Sequence, residues 1–141
     1  MPGGLPMKVA ELLRRKGTRI LTARMDEPVE TAARLLSKEN AGALVVKDSV
    51  GNEGDTVVGM FSERDLLHAI VEHGAAALKK PVSALMSKRV ISCRPDDDLK
   101  AVLELMDRHY VRHLPVIDGT TLIGVVSIRD FIALRLEELA G

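Results

Sequence analysis

Gly124-Val125-Val126-Ser127-Ile128-Arg129-Asp130 decides how this chain folds, because an earlier stretch repeats its pattern. Gly59-Met60-Phe61-Ser62-Glu63-Arg64-Asp65 stands 65 positions before it and matches at the glycine, the two apolar residues, the serine, the arginine and the aspartate. Each copy follows residues that favour a strand and precedes apolar residues at helical spacing. Each copy is therefore predicted to be a strand that ends at its serine and turns directly into a helix.

A serine followed three residues later by an aspartate at a helix start has two explanations. The first is a capping box, in which each side chain bonds the other residue's backbone N–H. The second is a binding site, because a helix start also offers free N–H groups to an anion. Arg64 and Arg129 fall in the first helical turn, where the helix dipole disfavours a cation. Gly59 and Gly124 weaken a strand unless another group approaches closely. Since both departures occur twice, we interpret the motif as part of a site.

The rest of the chain is also duplicated. Val9 to Leu13 is echoed by Val82 to Met86, and a first strand at Arg19 to Ala23 is echoed by Val90-Ile91-Ser92. Two helices carry apolar stripes, Val29, Ala32, Ala33, Leu36 and Leu99, Val102, Leu103, Met106. The strands 43–47 and 114–116 lead into the motif strands, through a polar turn at 48–55 and a tight hairpin at Asp118-Gly119. We predict an α/β (α+β) fold of two β-α-β-β-α repeats, 7–74 and 75–141, which pack together because each is too small to bury its faces alone.

Composition excludes several classes of function. Apolar residues make up 46% of the chain, which suffices for a packed interior, while aromatic residues make up only 2%. Lys plus Arg and Asp plus Glu number 20 each, so no overall field attracts nucleic acid or an anionic membrane, and few aromatic rings are present to stack bases. No stretch approaches the length of a membrane span, and the first six residues do not resemble a signal peptide. We expect a soluble, cytoplasmic protein.

Other reactive side chains are better explained structurally. The single cysteine, Cys93, excludes an internal disulfide and is expected to be a buried, inert thiol. His68, His73 and His109 share no metal-ligand spacing with carboxylates and are expected at the surface. Asp96-Asp97-Asp98 stands at a helix start and is expected to cap it. We therefore predict no metal site and no catalytic residues.

The order of the elements and the motif resemble the cystathionine β-synthase (CBS) domain, and two in tandem resemble the Bateman module. The resemblance rests on Arg112-His113-Leu114-Pro115-Val116-Ile117-Asp118 and the 124–130 motif, and on Gly42-Ala43-Leu44-Val45-Val46 and the 59–65 motif. It covers residues from about 7 to 138, as in free-standing bacterial CBS-pair proteins. It implies two repeats related by a pseudo-twofold axis, a homodimer, and a regulatory role without catalysis.

The resemblance also implies an adenine nucleotide ligand (AMP, ADP or ATP, or alternatively NAD or S-adenosylmethionine) in clefts between the repeats. For the second-repeat cleft the implied contacts are Val90, Ile91, Ser92, Arg112, His113, Pro115, Ser127, Arg129 and Asp130. For the first-repeat cleft they are Ile20, Leu21, Thr22, Ala43, Ser62, Arg64 and Asp65. The chemistry of these residues agrees, because an ionised carboxylate accepts hydrogen bonds from ribose hydroxyls and arginine binds phosphate through two donors.

The two copies are not equivalent. Arg112 and His113 resemble phosphate-contacting residues of the AMP-activated kinase γ subunit, whereas Gly42 and Ala43 stand at the matching place in the first copy. The second cleft is therefore expected to prefer more phosphates, and the first to hold AMP, a nucleoside or nothing. His113 can also be a satisfied, half-buried histidine, and the basic residues 14–16 can be a solvated helix end or reach a phosphate.

Three functions are compatible with these residues to different degrees. A ligand sensor for adenine nucleotides explains both motifs. A dimerising scaffold that binds no nucleotide remains open, since the two apolar stripes exceed what one pair of repeats needs to cover. A hydrolase is disfavoured, because no nucleophile with an orienting base is present. The ligand and the downstream partner protein are not identified by the sequence.

Overall fold

The computed structural model describes residues 7–17, 19–48 and 56–140, so most of the turn predicted at 48–55 and the N-terminal six residues lie outside the described residues. It contains α-helices and two small sheets, which confirms the mixed α/β class. In chain order the elements are α1 (Val9–Lys16), β1 (Thr22–Arg24), α2 (Val29–Glu39), β2 (Ala43–Asp48), β3 (Thr56–Ser62), α3 (Glu63–His73), a 3-10 helix (Gly74–Lys79), α4 (Val82–Leu85), α5 (Leu99–His109), β4 (His113–Asp118), β5 (Thr121–Ser127) and α6 (Ile128–Ala140).

The chain forms two compact units. The first-repeat unit comprises Ile20–Val90, and the second-repeat unit comprises the residues up to Arg19 together with those from Ile91 onward. Helix α1 thus belongs to the unit that contains the second motif: Val9 N donates to Asp97 O at 3.0 Å. Helix α4 likewise belongs to the first-repeat unit, where Val82 N donates to Glu27 O at 2.8 Å. The repeat boundaries 7–74 and 75–141 remain a prediction, because the units group residues by contact and not by repetition.

Each unit has its own core, built from the predicted stripes. In the first-repeat unit, Val29, Ala32 and Leu36 of α2 pack with buried strand residues such as Phe61. In the second, the corresponding residues of α5 pack with buried residues of α1, β4, β5 and α6; they are Leu99, Val102 and Met106. The expectation that these stripes exceed what one pair of repeats needs to cover is therefore wrong for six of their eight residues, which are buried within a single chain. The other two, Ala33 and Leu103, are half-buried.

The two sheets differ by one strand. In the first-repeat unit β1 pairs in parallel with β2, and β2 pairs antiparallel with β3. In the second-repeat unit β4 and β5 form an antiparallel pair joined by the predicted tight hairpin, with Gly119 at a φ of 64°. The predicted strand at 90–92 is wrong: only an isolated parallel bridge, Cys93 with Val116, stands there.

A proline explains the missing strand on one side of that bridge. In the first sheet Val45 N donates to Leu21 O at 2.9 Å. The residue 70 positions after Val45 is Pro115, which has no N–H to donate to Ile91. This ladder bond therefore cannot form, although Cys93 N still donates to the Pro115 carbonyl at 3.0 Å.

A second proline stops the ladder on the other side. Met25 N donates to Lys47 O at 3.0 Å in the first sheet. The position equivalent to Met25 is Pro95, which again lacks a donor. With both flanking bonds lost, a single bridge is all that the sequence permits.

Among the described residues, no helix combines the length and the apolar character that crossing a membrane requires.

Candidate functional site

Both motifs form the predicted junction of strand, serine and helix. Strand β3 ends at Ser62 and α3 starts at the next residue, and β5 ends at Ser127 before α6. Asp65 N donates to Ser62 Oγ at 3.2 Å, and Ser62 N donates to Asp65 Oδ2 at 2.9 Å. In the second copy the two distances are 3.3 and 2.8 Å, between Asp130 and Ser127. The capping box is thus present in both copies, and each aspartate orients its carboxylate at a helix start.

The two glycines of the motif need no ligand to explain them. A Cβ atom on Gly124 would lie 2.8 Å from Leu13 Cδ2, and one on Gly59 would lie 2.6 Å from Met86 Sδ and 2.8 Å from the Ser87 carbonyl. The close approach that the glycines permit is therefore made by α1 in one unit and by the end of α4 in the other. This removes the glycines as an argument for binding.

The two arginines are not explained by the fold. Arg64 and Arg129 occupy the first turn of α3 and α6, where the helix dipole costs a cation a few tenths of a kcal/mol to about 1 kcal/mol. Both are exposed, and their guanidinium groups have no partner within the described parts of the chain. They can reach an anion held at the same helix start, so these two residues carry the case for a site.

The neighbouring strand brings the asymmetric positions to the junction. Ala43 pairs with Ser62 in register, and His113 pairs with Ser127. Ile128 N, the first amide of α6, donates to the carbonyl of Arg112 at 3.0 Å. These two contacts place Arg112, which is exposed, and His113, which is half-buried, beside the second motif.

The predicted site residues of the first strand in each repeat, 20–22 and 90–92, differ in their surroundings. Thr22 lies in β1 opposite Val45, and Leu21 packs against the first core. Ile20 and Val90 are the terminal residues of the first-repeat unit, so Val90 is not grouped with the second motif. Ile91 packs against the second core and Ser92 is exposed. Pro115 is buried in β4 beside this segment.

Two residues outside the motif complete these sites. Ser87 Oγ donates to Asp65 Oδ1 at 3.0 Å and to Oδ2 at 3.2 Å. Lys16 Nζ forms an ion pair with Asp130 Oδ2 at 3.0 Å and donates to Val125 O at 2.7 Å. Sequence reasoning missed Ser87, although the echo of α1 in α4 could have placed it near Gly59. The sequence allows Lys16 either to be solvated or to reach a phosphate, whereas in the structure it forms an ion pair with the carboxylate of Asp130.

We call these groupings the Asp65 site (Ala43, Ser62, Arg64, Asp65 and Ser87) and the Asp130 site (Lys16, Arg112, His113, Ser127, Arg129 and Asp130). The Asp130 site contains three cationic side chains, of which Lys16 contacts the carboxylate, whereas the Asp65 site contains one. It is therefore suited to a ligand with more negative charge.

Of the side chains assigned structural roles, Cys93 is buried as expected, whereas Asp98 makes no side-chain capping bond to α5. Cys93 is buried, and this burial, with a smaller contribution from the Asp97 charge, raises the pKa of its thiol to about 12. The described residues contain no cluster of His, Cys, Asp or Glu suited to a metal ion. Asp98 precedes α5 in the capping position, but its carboxylate bonds Lys8 Nζ at 2.8 Å instead of the helix, and Asp97 accepts from Arg94 N at 2.8 Å.

Two small α/β units, each with a capping carboxylate and an exposed arginine at a strand–helix junction, define a tandem-repeat protein. The CBS domain profile matches residues 8–72 and 82–137, which confirms the predicted resemblance: the chain belongs to the CBS domain family. Paired CBS domains are regulatory modules and generally not catalytic.

Known proteins of similar size resemble this chain in sequence or in fold. CBS domain-containing protein YhcV of Bacillus subtilis is 30% identical over 113 residues, which cover 80% of this chain and 76% of YhcV. The crystal structure of CBS-domain containing protein ATU1752 from Agrobacterium tumefaciens superposes with a TM-score of 0.85 at 36% identity, over 96% of this chain and 98% of that one. The CBS domain pair of MJ0100, solved with 5′-methylthioadenosine and S-adenosylmethionine, has a TM-score of 0.80 at 22% identity over 94% and 98% of the two chains, and so shows the fold alone.

Proposed function

We propose that this protein is a non-catalytic sensor that binds an adenine nucleotide, primarily at the Asp130 site. The observation that carries this proposal is the pair of exposed arginines, Arg64 and Arg129, whose position costs stability and which have no partner among the described residues. A phosphate bound at either helix start would accept hydrogen bonds from both the arginine side chain and the free backbone N–H groups. That MJ0100 was solved with two adenosine-containing ligands supports the choice of ligand class.

The difference between the sites sets the expected preference. Lys16 contacts the Asp130 carboxylate, and Arg112 and Arg129 add two further cationic side chains to the same site, so it should favour AMP, ADP or ATP over neutral adenosine compounds. The Asp65 site, with Arg64 alone, should bind more weakly or prefer a less charged ligand. A nucleotide shifts the protein between conformations only by its differential affinity for them, and this is how binding would be transmitted.

Thermal shift measurements test this proposal with AMP, ADP, ATP, NAD, S-adenosylmethionine and GTP. A ligand that binds only the native state adds about 2.7 kcal/mol of stability at a hundredfold excess over its Kd. We expect Asp130→Asn to abolish most of the ATP-induced shift, and Asp65→Asn to retain it. Asparagine keeps an oxygen that can accept the capping bond from the serine N–H, so the fold is disturbed less than by alanine.

Arg112→Ala refines the same test, with Arg108→Ala as its control because Arg108 is an exposed arginine of α5 outside the site. We expect the first substitution to reduce the ATP shift and the second to leave it unchanged. Equal ATP binding by Arg112→Ala would contradict the predicted charge preference. If no nucleotide shifts the wild type, the alternative function, a dimerising scaffold without nucleotide, becomes the better explanation.

We further infer that the protein associates with a second copy of itself. Exposed apolar side chains occur on both α3 and α6: Leu67, Ile70 and Val71, and Ile132, Leu136 and Leu139. At the motif offset of 65, Leu67 is equivalent to Ile132 and Val71 to Leu136. A self-complementary apolar surface is what a twofold homodimer requires. These residues replace the α2 and α5 stripes as the basis of the predicted homodimer.

A further inference from the structure

Lys16 reaches the second motif from outside it. It is the last residue of α1, and it belongs to the second-repeat unit because α1 packs there. Its Nζ lies 3.0 Å from Asp130 Oδ2, and the two side chains are 29% and 17% exposed, respectively. The same ammonium donates to the carbonyl of Val125 at 2.7 Å. Partial burial limits the screening of this ion pair by solvent.

The ion pair occupies an oxygen that a ribose would need. Asp130 Oδ2 already accepts from Ser127 N at 2.8 Å and is paired with Lys16, so both of its lone pairs are engaged. Recognition of two ribose hydroxyls requires both carboxylate oxygens as acceptors. Lys16 must therefore move away from Asp130 when a ribose binds, and its ammonium loses its counter-charge.

Within the described residues, the Asp65 carboxylate has no such ion pair. There the additional partners of the carboxylate are two neutral hydroxyls, Ser87 Oγ at 3.0 and 3.2 Å and Ser62 Oγ at 3.1 Å. A neutral hydroxyl displaced from a carboxylate can be hydrated at little cost, whereas a displaced ammonium leaves an uncompensated charge in a partly buried place. The two aspartates are thus held by partners of different charge.

We propose that Lys16 is a specificity-determining residue, which makes the Asp130 site select anionic adenine nucleotides against neutral nucleosides. The proposal rests on the nucleotide-binding function proposed above. An anionic ligand compensates the displaced ammonium through its phosphate, at the helix start whose first turn also carries Arg129. A neutral nucleoside also breaks the ion pair, but it supplies no negative charge to compensate the ammonium of Lys16.

Isothermal titration calorimetry with AMP and adenosine tests the proposal, in an Asp65→Asn background that restricts binding to the Asp130 site. We expect Lys16→Met to bind adenosine more tightly, because the competing ion pair is gone. We expect its preference for AMP over adenosine to fall about tenfold, the size of one charge-assisted contact. Lys16→Arg should retain the preference, and Lys16→Gln repeats the test with a polar side chain should the methionine variant fold poorly.

Arg15→Met is the matched control, since it removes a positive charge from the exposed neighbouring residue of the same helix. It should leave the preference unchanged. Intact binding with an unchanged AMP-to-adenosine ratio in Lys16→Met overturns the role of Lys16 alone, as does an equal fall in Arg15→Met. Absence of binding of both probes to the Asp65→Asn parent and to the wild type overturns the nucleotide-binding function and the role of Lys16 with it.

Discussion

At the scale of single residues, Leu13 and Met86 fill the space that the missing side chains of Gly124 and Gly59 leave open. The two contacts are similar in kind but not in rigidity. At Gly124 the nearest atoms are the ends of a leucine side chain, which can rotate. At Gly59 the backbone carbonyl of Ser87 lies nearly as close as the methionine sulfur. This carbonyl accepts from Met60 N at 3.1 Å, and Ser87 N donates to Met60 O at 2.8 Å, so the backbone of Ser87 is fixed.

This difference predicts unequal costs for adding one methyl group. We expect Gly59→Ala to lower the free energy of unfolding by about 2–3 kcal/mol, and Gly124→Ala by about 1 kcal/mol, because only the leucine can give way. Urea denaturation followed by circular dichroism measures both. Leu13→Ala added to Gly124→Ala should cost less than the sum of the single changes, whereas Met86→Ala should not rescue Gly59→Ala. A larger loss for Gly124→Ala would contradict this explanation.

At the scale of elements, the sequence predicts what local patterns determine. The strand–serine–helix junctions, the hairpin at Asp118-Gly119 and the stripes of α2 and α5 were all confirmed, because periodicity and turn chemistry act over a few residues. Two features could not be predicted. One is that α1 packs in the second-repeat unit and α4 in the first-repeat unit, and the other is the set of contacts made by Ser87 and Lys16. The bond from Lys16 to Val125 spans 109 residues, and no local pattern encodes it.

The strand that is missing at 90–92 could be predicted only in part. The prolines that prevent it are visible in the sequence, but the backbone groups that they would otherwise bond are not. Pro115→Val restores a backbone donor at the place that Val45 occupies in the first sheet. We expect its N–H to bond the carbonyl of Ile91 and extend the single bridge at Cys93 into a short parallel strand. Hydrogen exchange measured by NMR should show a protected amide at position 115.

The mirror substitution is the control for this prediction. Val45→Pro removes the bond to Leu21, so the amides of β1 and β2 should lose protection and the first-repeat unit should be destabilised, by about 3 kcal/mol or more. Amide protection is a better measure than stability for Pro115→Val, because losing a proline also frees the unfolded chain. A rapidly exchanging amide at position 115 would show that something other than the missing donor prevents the strand.

At the scale of the whole molecule, exposed apolar side chains on α3 and α6 support the proposed homodimer. Val71 on α3 and Leu136 on α6 are 79% and 60% exposed, and each has apolar neighbours one helical turn away on the same helix. The equal numbers of acidic and basic residues leave no net charge at pH 7 to keep copies apart. Both conditions favour self-association through these helices.

The homodimer is therefore tested by placing charges in the two apolar stripes. We expect the wild type to have the mass of two chains by light scattering at micromolar concentration, and Val71→Glu with Leu136→Glu to have the mass of one, because a carboxylate cannot be desolvated in an apolar interface without a partner. Glu72→Gln with Glu137→Gln, which alters the adjacent exposed residues, should leave the dimer intact. A monomeric wild type would refute the homodimer. If the double variant is still a dimer and its circular dichroism is unchanged, the interface does not lie on α3 and α6. Buried, unpaired carboxylates in such an interface would outweigh the apolar burial that holds it together.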